Sequence, residues 1–486
     1  MANRLAIDVG SSSVKIHAGE YVDGNLTFEE IARLDNCTTW EGDRHVWDVA
    51  ALTASLREAI VDVAQRDGDV ASIGIDATAL DFGLLADGEL LRNPYFYRDP
   101  SLWTTEEEAA ACCSERRAFE LTGYNLSRGP VHYQAHANPE LFEQADTLVP
   151  LPQLLGYELG GEPVTELSYA MTLQMFDIQS LRWADELIEA LGFPRHVLEE
   201  PVPAGTHAGT MDPTDTLLET GPDIILPPSH DTASAVGSLP LTDANNAFLA
   251  TGSWFIPGLE LPEPIVTDEV FEIGGSNEVG VEGTTRFLRN LPGFSLLELC
   301  REQWEAAGET YAYEPLLKQA AEIGTDVALI DPRDGQFIDA QFEGDVEERV
   351  REYCERTGQR PPEDEFETTA CLLVSLAAGT AIVLDELIDV ADETVDRIHL
   401  GGGGVRNELF CQQFASAIGR PVHAGPTEAT ALGNLLVQMR SAGEIADLDE
   451  GRDLIAEAFD VTKYEPSEQS EWSAVTERLE SVAAKA

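Results

Sequence analysis

The chain of 486 residues is too long for one hydrophobic core and has the length of two domains of ordinary size. Hydrophobic residues make up 43% of it, which excludes global disorder. The 88 acidic residues outnumber the 30 basic ones, and the resulting net charge of −58 makes nucleic acid a poor partner.

The acidic residues are spread along the whole chain, whereas an acidic interaction tail would be blocky. A folded surface coated with carboxylates repels itself at low salt, and in molar salt the screening length falls to about 3 Å. The composition therefore indicates a cytoplasmic protein of an extreme halophile.

The seven cysteines include no C-x-x-C pair and no histidine spacing typical of zinc, as expected in a reducing cytosol. The first ten residues lack the apolar core of a signal peptide, and we expect no membrane-spanning segment. The sequence predicts a soluble intracellular protein without a membrane partner.

Residues 5–18 predict a strand, a Gly/Ser turn at residues 10–13 and a returning strand. Backbone N–H groups and hydroxyls in such a turn can form an anion-binding nest. Lys15 follows the turn and is the first lysine of a chain that has only four. The alternative is an ordinary hairpin turn with a surface lysine.

The next elements predict an α/β domain. Residues 50–66 have the apolar period of an amphipathic helix, residues 70–76 read as a buried strand, and a hairpin turns at 86–88. Strand, helix and strand in this order favour an α/β arrangement. Residues 106–161 are predicted to be helical.

The segment around Asp231 predicts a reactive carboxylate. An apolar run ends at Pro227-Pro228, and Ser229-His230-Asp231-Thr232 follows. Prolines end the strand, and a carboxylate beside a histidine at its mouth is a candidate general base. The alternative is that Asp231 only caps a helix.

The second half repeats the start of the first. Residues 247–259 again read as strand, Gly-Ser turn and strand, which predicts a diverged duplication. A long apolar helix at 368–390 and a strand at 395–400 precede Gly401–Gly404, where glycines let the backbone approach a phosphate or a base. The glycine spacing excludes a Walker loop and a Rossmann fingerprint. The last 45 or so residues are acidic, and we expect them to be helical and to pack on the second domain.

Six segments stand in order across about residues 5–440: DVGSSSVK, GIDATALDFGLL with PYFYRDP, PSHDTASAVG, ATGSW, EGTTRFLRN, and IHLGGGGVRNELF with GRPVHAGPTEATALGN. Together they resemble FGGY-type carbohydrate kinases, and within that family the rhamnulokinases. The resemblance implies ATP-dependent phosphorylation of a sugar hydroxyl with Mg²⁺ on the nucleotide phosphates.

The implied fold is α/β, with two actin-like (ribonuclease-H-like) domains and a nucleotide/sugar cleft between them. We expect the sugar-binding domain, with the first phosphate loop and the catalytic Asp, at residues 1–240. The nucleotide-binding domain is expected at 241–440, and an acidic helical extension at 441–486.

The resemblance also implies roles for individual residues. Asp231 matches the catalytic base, and Asp8 matches the carboxylate near the metal. The matching nucleotide positions are Ser12, Ser13, Lys15, Gly252, Ser253, Asn290, Glu298, Gly402 and Gly403. On the sugar side the positions are Thr78, Ala79, Tyr133, Gln134, His230 and Asp231.

The departures from the rhamnulokinase pattern concern the sugar side and the adenine edge. Ala77-Thr78-Ala79 stands where rhamnulokinases have Thr-Trp-Gly, and Glu298 replaces a glutamine. The expected substrate is a ketose such as L-rhamnulose, phosphorylated at C1, or L-fuculose. The alternatives are a pentulose, another ketohexose or a polyol, and, in another class, a non-catalytic actin-like sensor of sugar or nucleotide. The sequence does not indicate an oligomeric state.

Overall fold

The computed structural model describes residues 3–103, 111–125, 131–214, 218–242 and 245–486. The chain forms two compact units. The first comprises Met1–Thr242, Glu260–Phe287 and Glu428–Ala458, and the second comprises Asp243–Leu259, Leu288–Thr427 and Phe459–Ala486. Both contain helices and strands, as the predicted α/β class requires. Each unit combines segments that are distant in the sequence. The domain boundaries expected after residues 240 and 440 divide the sequence rather than these compact units, and they stay a prediction.

The elements up to residue 242 belong to the first unit. Its strands there are β1 (Asn3–Val9), β2 (Ser13–Val22), β3 (Asn25–Asp35), β4 (Thr38–Glu41), β5 (Arg44–Trp47), β6 (Val70–Ala77), β7 (Phe82–Ala86), β8 (Glu89–Leu90), β9 (Thr147–Pro150), β10 (Phe176–Asp177), β11 (Arg182–Trp183), β12 (His207–Thr210) and β13 (Asp223–Ile225). Its helices there are α1 (Val49–Asp67), α2 (Glu115–Thr122), α3 (Val131–Ala137), α4 (Pro139–Gln144), α5 (Leu151–Glu158), α6 (Leu167–Thr172), α7 (Asp185–Leu191) and α8 (Asp231–Ser238).

The remaining elements follow residue 245. The strands are β14 (Asn246–Thr251), β15 (Trp254–Leu261), β16 (Ser276–Val279), β17 (Thr285–Leu288), β18 (Leu291–Pro292), β19 (Arg397–Gly401), β20 (Val422–Ala424) and β21 (Thr462–Tyr464). The helices are α9 (Asp268–Glu272), α10 (Ser295–Ala306), α11 (Tyr313–Ile323), α12 (Gly335–Glu343), α13 (Val346–Thr357), α14 (Glu365–Ala391), α15 (Glu408–Ile418), α16 (Ala429–Ser441), α17 (Leu448–Ala458) and α18 (Gln469–Ala483).

The main sheet of the first unit has the strand order β12-β13-β6-β1-β2-β3. β1 is antiparallel to β2 and parallel to β6, and β6 is parallel to β13. The predicted hairpin, amphipathic helix and buried strand at the start of the chain are therefore confirmed. The register of these pairs sets Asp8 beside Lys15 on one side and beside Asp76 on the other.

The second unit repeats this topology. β14 is antiparallel to β15 and parallel to β19, which is parallel to β20, and β20 is antiparallel to β21. The order β21-β20-β19-β14-β15 has the same directions as β12-β13-β6-β1-β2. This agrees with the duplication inferred from the two Gly/Ser hairpins.

Helix α14 forms the core of the second unit, where it packs against α11, α15 and α18. It confirms the long apolar helix predicted there, and Asp364 caps it by accepting hydrogen bonds from Phe366 N and Glu367 N. By length and composition α14 alone among the helices of the described chain could cross a membrane, which corrects the expectation of no such segment. However, 89% of its most apolar window is buried inside the protein, as in a core helix.

Two other expectations need correction. The region 106–161, predicted to be helical, also contains β9, because Leu148 and Val149 pair with β7 and are buried. Residues 106–110 and 126–130 of that region lie outside the described residues. Of the elements near the C-terminus, α18 packs against α14 and α15, but α17 belongs to the first unit and β21 is a strand.

Candidate functional site

Asp231 is the first residue of α8, directly after the segment that follows β13. Ala77 N at the end of β6 donates a hydrogen bond of 2.9 Å to Ser229 O, which holds this segment beside the sheet. His230, not Asp231, occupies the N-cap position, and it makes no capping bond through its side chain. Among the described residues the Asp231 carboxylate accepts a hydrogen bond from Thr232 Oγ1 at 3.0 Å and none from a backbone amide. The interpretation of Asp231 as only a helix cap is therefore wrong.

Three carboxylates influence one another at this end of the first unit. Asp8 and Asp76 are neighbours on β1 and β6, and the negative charge of Asp231 contributes to raising the pKa of both. Burial is the main cause that raises the pKa of Asp8 to about 6. Repulsion from Asp231 and Glu428 also raises this pKa, whereas attraction to Lys15 lowers it. Burial first, and then the charge of Asp8, raise the pKa of Asp76 well above its usual range.

Only one of the two carboxylate oxygens of Asp76 has a hydrogen-bond partner among the described residues. Asn434 on α16 donates to its Oδ2 at 2.6 Å, whereas its Oδ1 is buried and has no hydrogen-bond partner within the described chain. A buried polar atom without a hydrogen-bond partner lowers the free energy of unfolding. An oxygen-binding cation such as Mg²⁺ would satisfy it and offset the repulsion between Asp8 and Asp76, so these residues fit the metal that the family resemblance implies.

Lys15 is a paired residue. Its Nζ lies 3.2 Å from Glu428 Oε2 and 3.8 Å from Asp8 Oδ2. Burial alone would lower the pKa of Lys15, but attraction to the two carboxylates outweighs burial and raises it. The hairpin turn of the alternative interpretation is present, but its lysine is half-buried and paired with two carboxylates rather than free at the surface. The Gly/Ser turn before it is closed by a hydrogen bond from Gly10 N to Ser13 O at 3.1 Å, with Ser12 exposed at its tip.

His230 connects Asp231 to a buried ion pair. His230 Nε2 lies 3.5 Å from Asp231 Oδ1, and its Nδ1 lies 3.3 Å from Glu278 Oε2. Arg286, which is fully buried, pairs with the same Glu278 oxygen at 2.7 Å. Burial alone would raise the pKa of Glu278, but Arg286 and His230 together lower it to about 2. The charged pair holds the imidazole in place beside Asp231.

The predicted sugar-side residues occupy two places. Thr78 and Ala79 directly follow β6, and Tyr169 OH donates a hydrogen bond of 2.9 Å to Thr78 O. Since Ala77 pairs with His230, Thr78 and Ala79 lie next to the Asp231 segment. Tyr133 and Gln134 are buried on α3, which packs against α4. The contribution of these two residues to a sugar pocket stays a prediction.

In the second unit two turns meet at the end of β14. Gly252 N donates to Trp254 O at 3.0 Å and closes the hairpin turn, leaving Ser253 exposed. Gly402 has φ 94°, and a Cβ there would lie 2.4 Å from Thr251 O. Gly403 faces open space. The open space at Gly403 lets a ligand such as a phosphate or a base approach the backbone there.

The two other predicted nucleotide positions also lie in the second unit. Asn290 is half-buried in the loop between β17 and β18. Glu298 on α10 pairs with Arg301 at 2.6 Å, and the Arg301 guanidinium lies over the Tyr313 ring. Asn407, just after the glycine turn, reaches Tyr313 OH at 3.5 Å, so Glu298 is linked to that turn through side chains.

Five residues of this arrangement had no role assigned from the sequence: Asp76, Glu278, Arg286, Glu428 and Asn434. A signal was present for some of them. Asp76 lies near the end of the buried apolar strand β6, and Asn434 lies inside the apolar helix α16. A polar residue at such a place needs a partner.

Comparison with known proteins identifies the family of the chain. The model of the FGGY family of carbohydrate kinases, N-terminal domain, matches residues 4–236, and the C-terminal domain model matches residues 247–442. A rhamnulokinase of Bacteroides thetaiotaomicron is 35% identical, with 97% of each chain covered. A rhamnulokinase of Bacillus subtilis is 31% identical, with 95% of each chain covered.

A ligand-bound xylulose kinase from Lactobacillus acidophilus has a similar fold. The TM-score is 0.78 at 16% sequence identity, and the likeness covers 100% of this chain and 98% of that one. At this identity the likeness concerns the fold alone. The two family models together match most of the sequence, from residue 4 to residue 442. The chain therefore belongs to the FGGY family of carbohydrate kinases.

Proposed function

We propose that the protein transfers the γ-phosphoryl group of ATP to a hydroxyl of a ketose, with the C1 hydroxyl of L-rhamnulose as the first candidate. The observation that carries this proposal is the environment of Asp231. Its side chain is 30% exposed, lies beside His230, and is not engaged in capping α8. The names of the two curated relatives, both rhamnulokinases, favour this sugar.

In the proposed reaction Asp231 accepts the proton of the sugar hydroxyl. The hydroxyl oxygen forms a bond to the γ-phosphorus while the bond to the bridging oxygen of ADP breaks. His230, held by Glu278 and Arg286, orients the carboxylate and contacts the sugar. In phosphoryl transfer the protein mainly positions groups and neutralises charge, and a positioned base contributes about 10²–10⁴-fold.

The charged partners of the phosphates would come from the first unit. Asp8, with Asp76 beside it, would hold Mg²⁺, which neutralises negative charge on the phosphate oxygens. Ser12, Ser13 and Lys15 would contact the phosphates directly. Lys15 would then exchange its bond to Glu428 for a phosphate oxygen.

The remaining nucleotide contacts are assigned to the second unit. We expect the Gly252-Ser253 turn to bind phosphate, and Gly402-Gly403 to lie against the nucleoside. Asn290 and Glu298 would stand at its edge. The open space at Gly403 and the link from Glu298 to the glycine turn support this assignment.

The sugar itself is proposed to contact Thr78, Ala79, Tyr133, Gln134 and His230. Thr78 Oγ1 is buried without a hydrogen-bond partner among the described residues, and a hydroxylated ligand would supply one. Because Thr78 replaces the tryptophan of the rhamnulokinase pattern, a pentulose, another ketohexose or a polyol is the alternative substrate.

We also propose that the enzyme works in the cytoplasm of an extreme halophile. The support is the net charge of −58, spread along the sequence and carried on a chain with four lysines. Such a surface is best screened at high ionic strength.

The direct test is ADP release with a panel of ketoses, pentuloses and polyols in molar KCl with Mg²⁺. We expect the highest kcat/KM for L-rhamnulose, with L-fuculose next. A better pentulose or polyol would replace the proposed substrate by the alternative. ATP binding without ADP release for any sugar would favour the non-catalytic sensor.

A further inference from the structure

A second cluster of possible metal ligands lies beside Lys15 in the first unit. It consists of His17 on β2, Glu30 on β3 and Glu428 just before α16, whose ligand atoms all lie within 4.8 Å of one another. His17 and Glu30 are cross-strand partners, next to a register irregularity between Ile16 and His17. Irregularities of this kind redirect side chains. Sheet pairing therefore brings two of the three groups together.

The His17 ring is buried and fixed in orientation. Its side chain is 1% exposed and stacks on Phe28, with ring centroids 4.8 Å apart and planes 5° from parallel. Its Nε2 lies 3.9 Å from Glu30 Oε2 and 3.9 Å from Glu428 Oε2. Neither ring nitrogen makes a hydrogen bond within the part of the chain that the structure describes. A buried imidazole that faces two carboxylates without a hydrogen bond is costly unless a ligand completes the group.

We propose that His17, Glu30 and Glu428 bind one divalent transition-metal ion of the Zn²⁺ type. An imidazole nitrogen combined with carboxylate oxygens suits Zn²⁺, Co²⁺ or Ni²⁺, whereas Mg²⁺ prefers oxygen ligands alone. Zn²⁺ bonds of about 2.0–2.2 Å require the three side chains to draw closer by small rotations. The site is separate from the oxygen-only carboxylates at Asp8 and Asp76.

In the absence of a metal ion, two cationic side chains pair with the carboxylates of this cluster. Lys15 Nζ donates to Glu428 Oε2 at 3.2 Å, and Arg33 donates to both Glu30 oxygens at 2.9 and 2.6 Å. The Glu30 side chain is 34% exposed, so an ion can enter from solvent on that side. A bound ion would join the β2–β3 hairpin to the start of α16 and would release Lys15 from Glu428.

The test is Zn²⁺ binding by the chelator-treated full chain, measured by equilibrium dialysis in molar KCl with excess Mg²⁺. We expect one Zn²⁺ per chain in the wild type and in Glu29→Gln, the matched control at the exposed neighbour of Glu30 on β3. His17→Gln, Glu30→Gln and Glu428→Gln should each weaken binding about tenfold or more, since loss of an outer partner alone costs about 10–100-fold. Co²⁺ should give visible absorption bands in the wild type that change in His17→Gln.

A variant that gains affinity separates the proposal from misfolding. Arg33→Ala removes the cation that competes for Glu30, and it should bind Zn²⁺ severalfold more tightly than the wild type. Zn²⁺ should also raise the thermal midpoint of the wild type and of Glu29→Gln but not of His17→Gln. Equal Zn²⁺ binding by His17→Gln and Glu29→Gln, or weaker binding by Arg33→Ala, would overturn the proposal.

Discussion

Glu278 Oε2 lies 2.7 Å from a terminal nitrogen of Arg286, and both side chains are buried. The same carboxylate oxygen lies 3.3 Å from His230 Nδ1, next to the candidate base. This pair lies on two neighbouring segments of the first unit and fixes the residue that precedes Asp231. Its removal should affect both stability and the position of His230.

Replacing Glu278 by Gln should destabilise the protein by about 3–5 kcal/mol, because the buried Arg286 charge would lose its counterion. The measurement is denaturant unfolding at constant molar KCl. Glu272→Gln is the matched control, since Glu272 pairs with Arg116 at the exposed surface. An exposed pair contributes about 0–1 kcal/mol. Equal losses in the two variants would contradict the account.

The same variant should change how stability depends on pH. The pKa of Glu278 is about 2 in the folded protein against an ordinary value of 4.5. A lowered pKa contributes stability that is present above pH 4.5 and is lost as the pH falls towards 2; the shift corresponds to about 3 kcal/mol. The difference in unfolding free energy between wild type and Glu278→Gln should therefore shrink from pH 5 to pH 2. A constant difference would mean that the carboxylate is not paired.

Replacing Lys15 by Met should raise the KM for ATP more than the KM for the sugar. Lys15 follows the Gly/Ser turn, and its charge is held between Asp8 and Glu428, where a phosphate could replace one partner. Lys318→Met, an identical change at an exposed position of α11, is the control. If the sugar KM rises while that for ATP is unchanged, this hairpin does not serve the nucleotide.

Introducing tryptophan at Thr78 together with glycine at Ala79 should shift preference towards L-rhamnulose. Both residues are half-buried beside the Asp231 segment, so a larger aromatic surface there would contact the sugar. The measure is the ratio of kcat/KM among ketoses, compared only if thermal stability matches the wild type, because overpacking alone costs about 1–3 kcal/mol. An unchanged ratio would remove this stretch from the sugar site.

Lowering the salt concentration should inactivate the protein reversibly. The net charge of −58 would then be poorly screened. The Debye length shortens from about 10 Å to about 3 Å between 0.1 and 1 M salt, so the effect should fall in that range. Activity and thermal midpoint are measured across KCl concentrations. Equal values at both ends of this range would contradict the halophilic interpretation.

The local signals in the sequence predicted the parts of the fold that depend on neighbouring residues. Gly/Ser turns between apolar runs located both hairpins. The contacts of the site depend on long-range packing instead. Asn434 and Asp76, for example, are 358 residues apart and meet only because α16 packs against β6. The sequence alone could not pair them.

The strand β9 is a second element that the local sequence did not predict, because residues 106–161 were expected to be helical. It has only four residues, three of which are apolar (Leu148, Val149 and Pro150), and nothing local distinguishes it from the helices on either side. Pairing with β7 decides its conformation. The roles of individual site residues came from the family resemblance, whereas the structure supplied the partners of His230 and Lys15.

The most direct test of the proposed function is the kcat of Asp231→Asn. Asparagine keeps the size of the side chain and most of its hydrogen bonds but cannot accept the proton at neutral pH. We expect kcat with the best sugar to fall about 10²–10⁴-fold, or roughly 2.7–5.4 kcal/mol of barrier, with ATP affinity by calorimetry nearly unchanged. A loss of less than about threefold with folding intact would mean that another group takes the proton and that Asp231 is not the base.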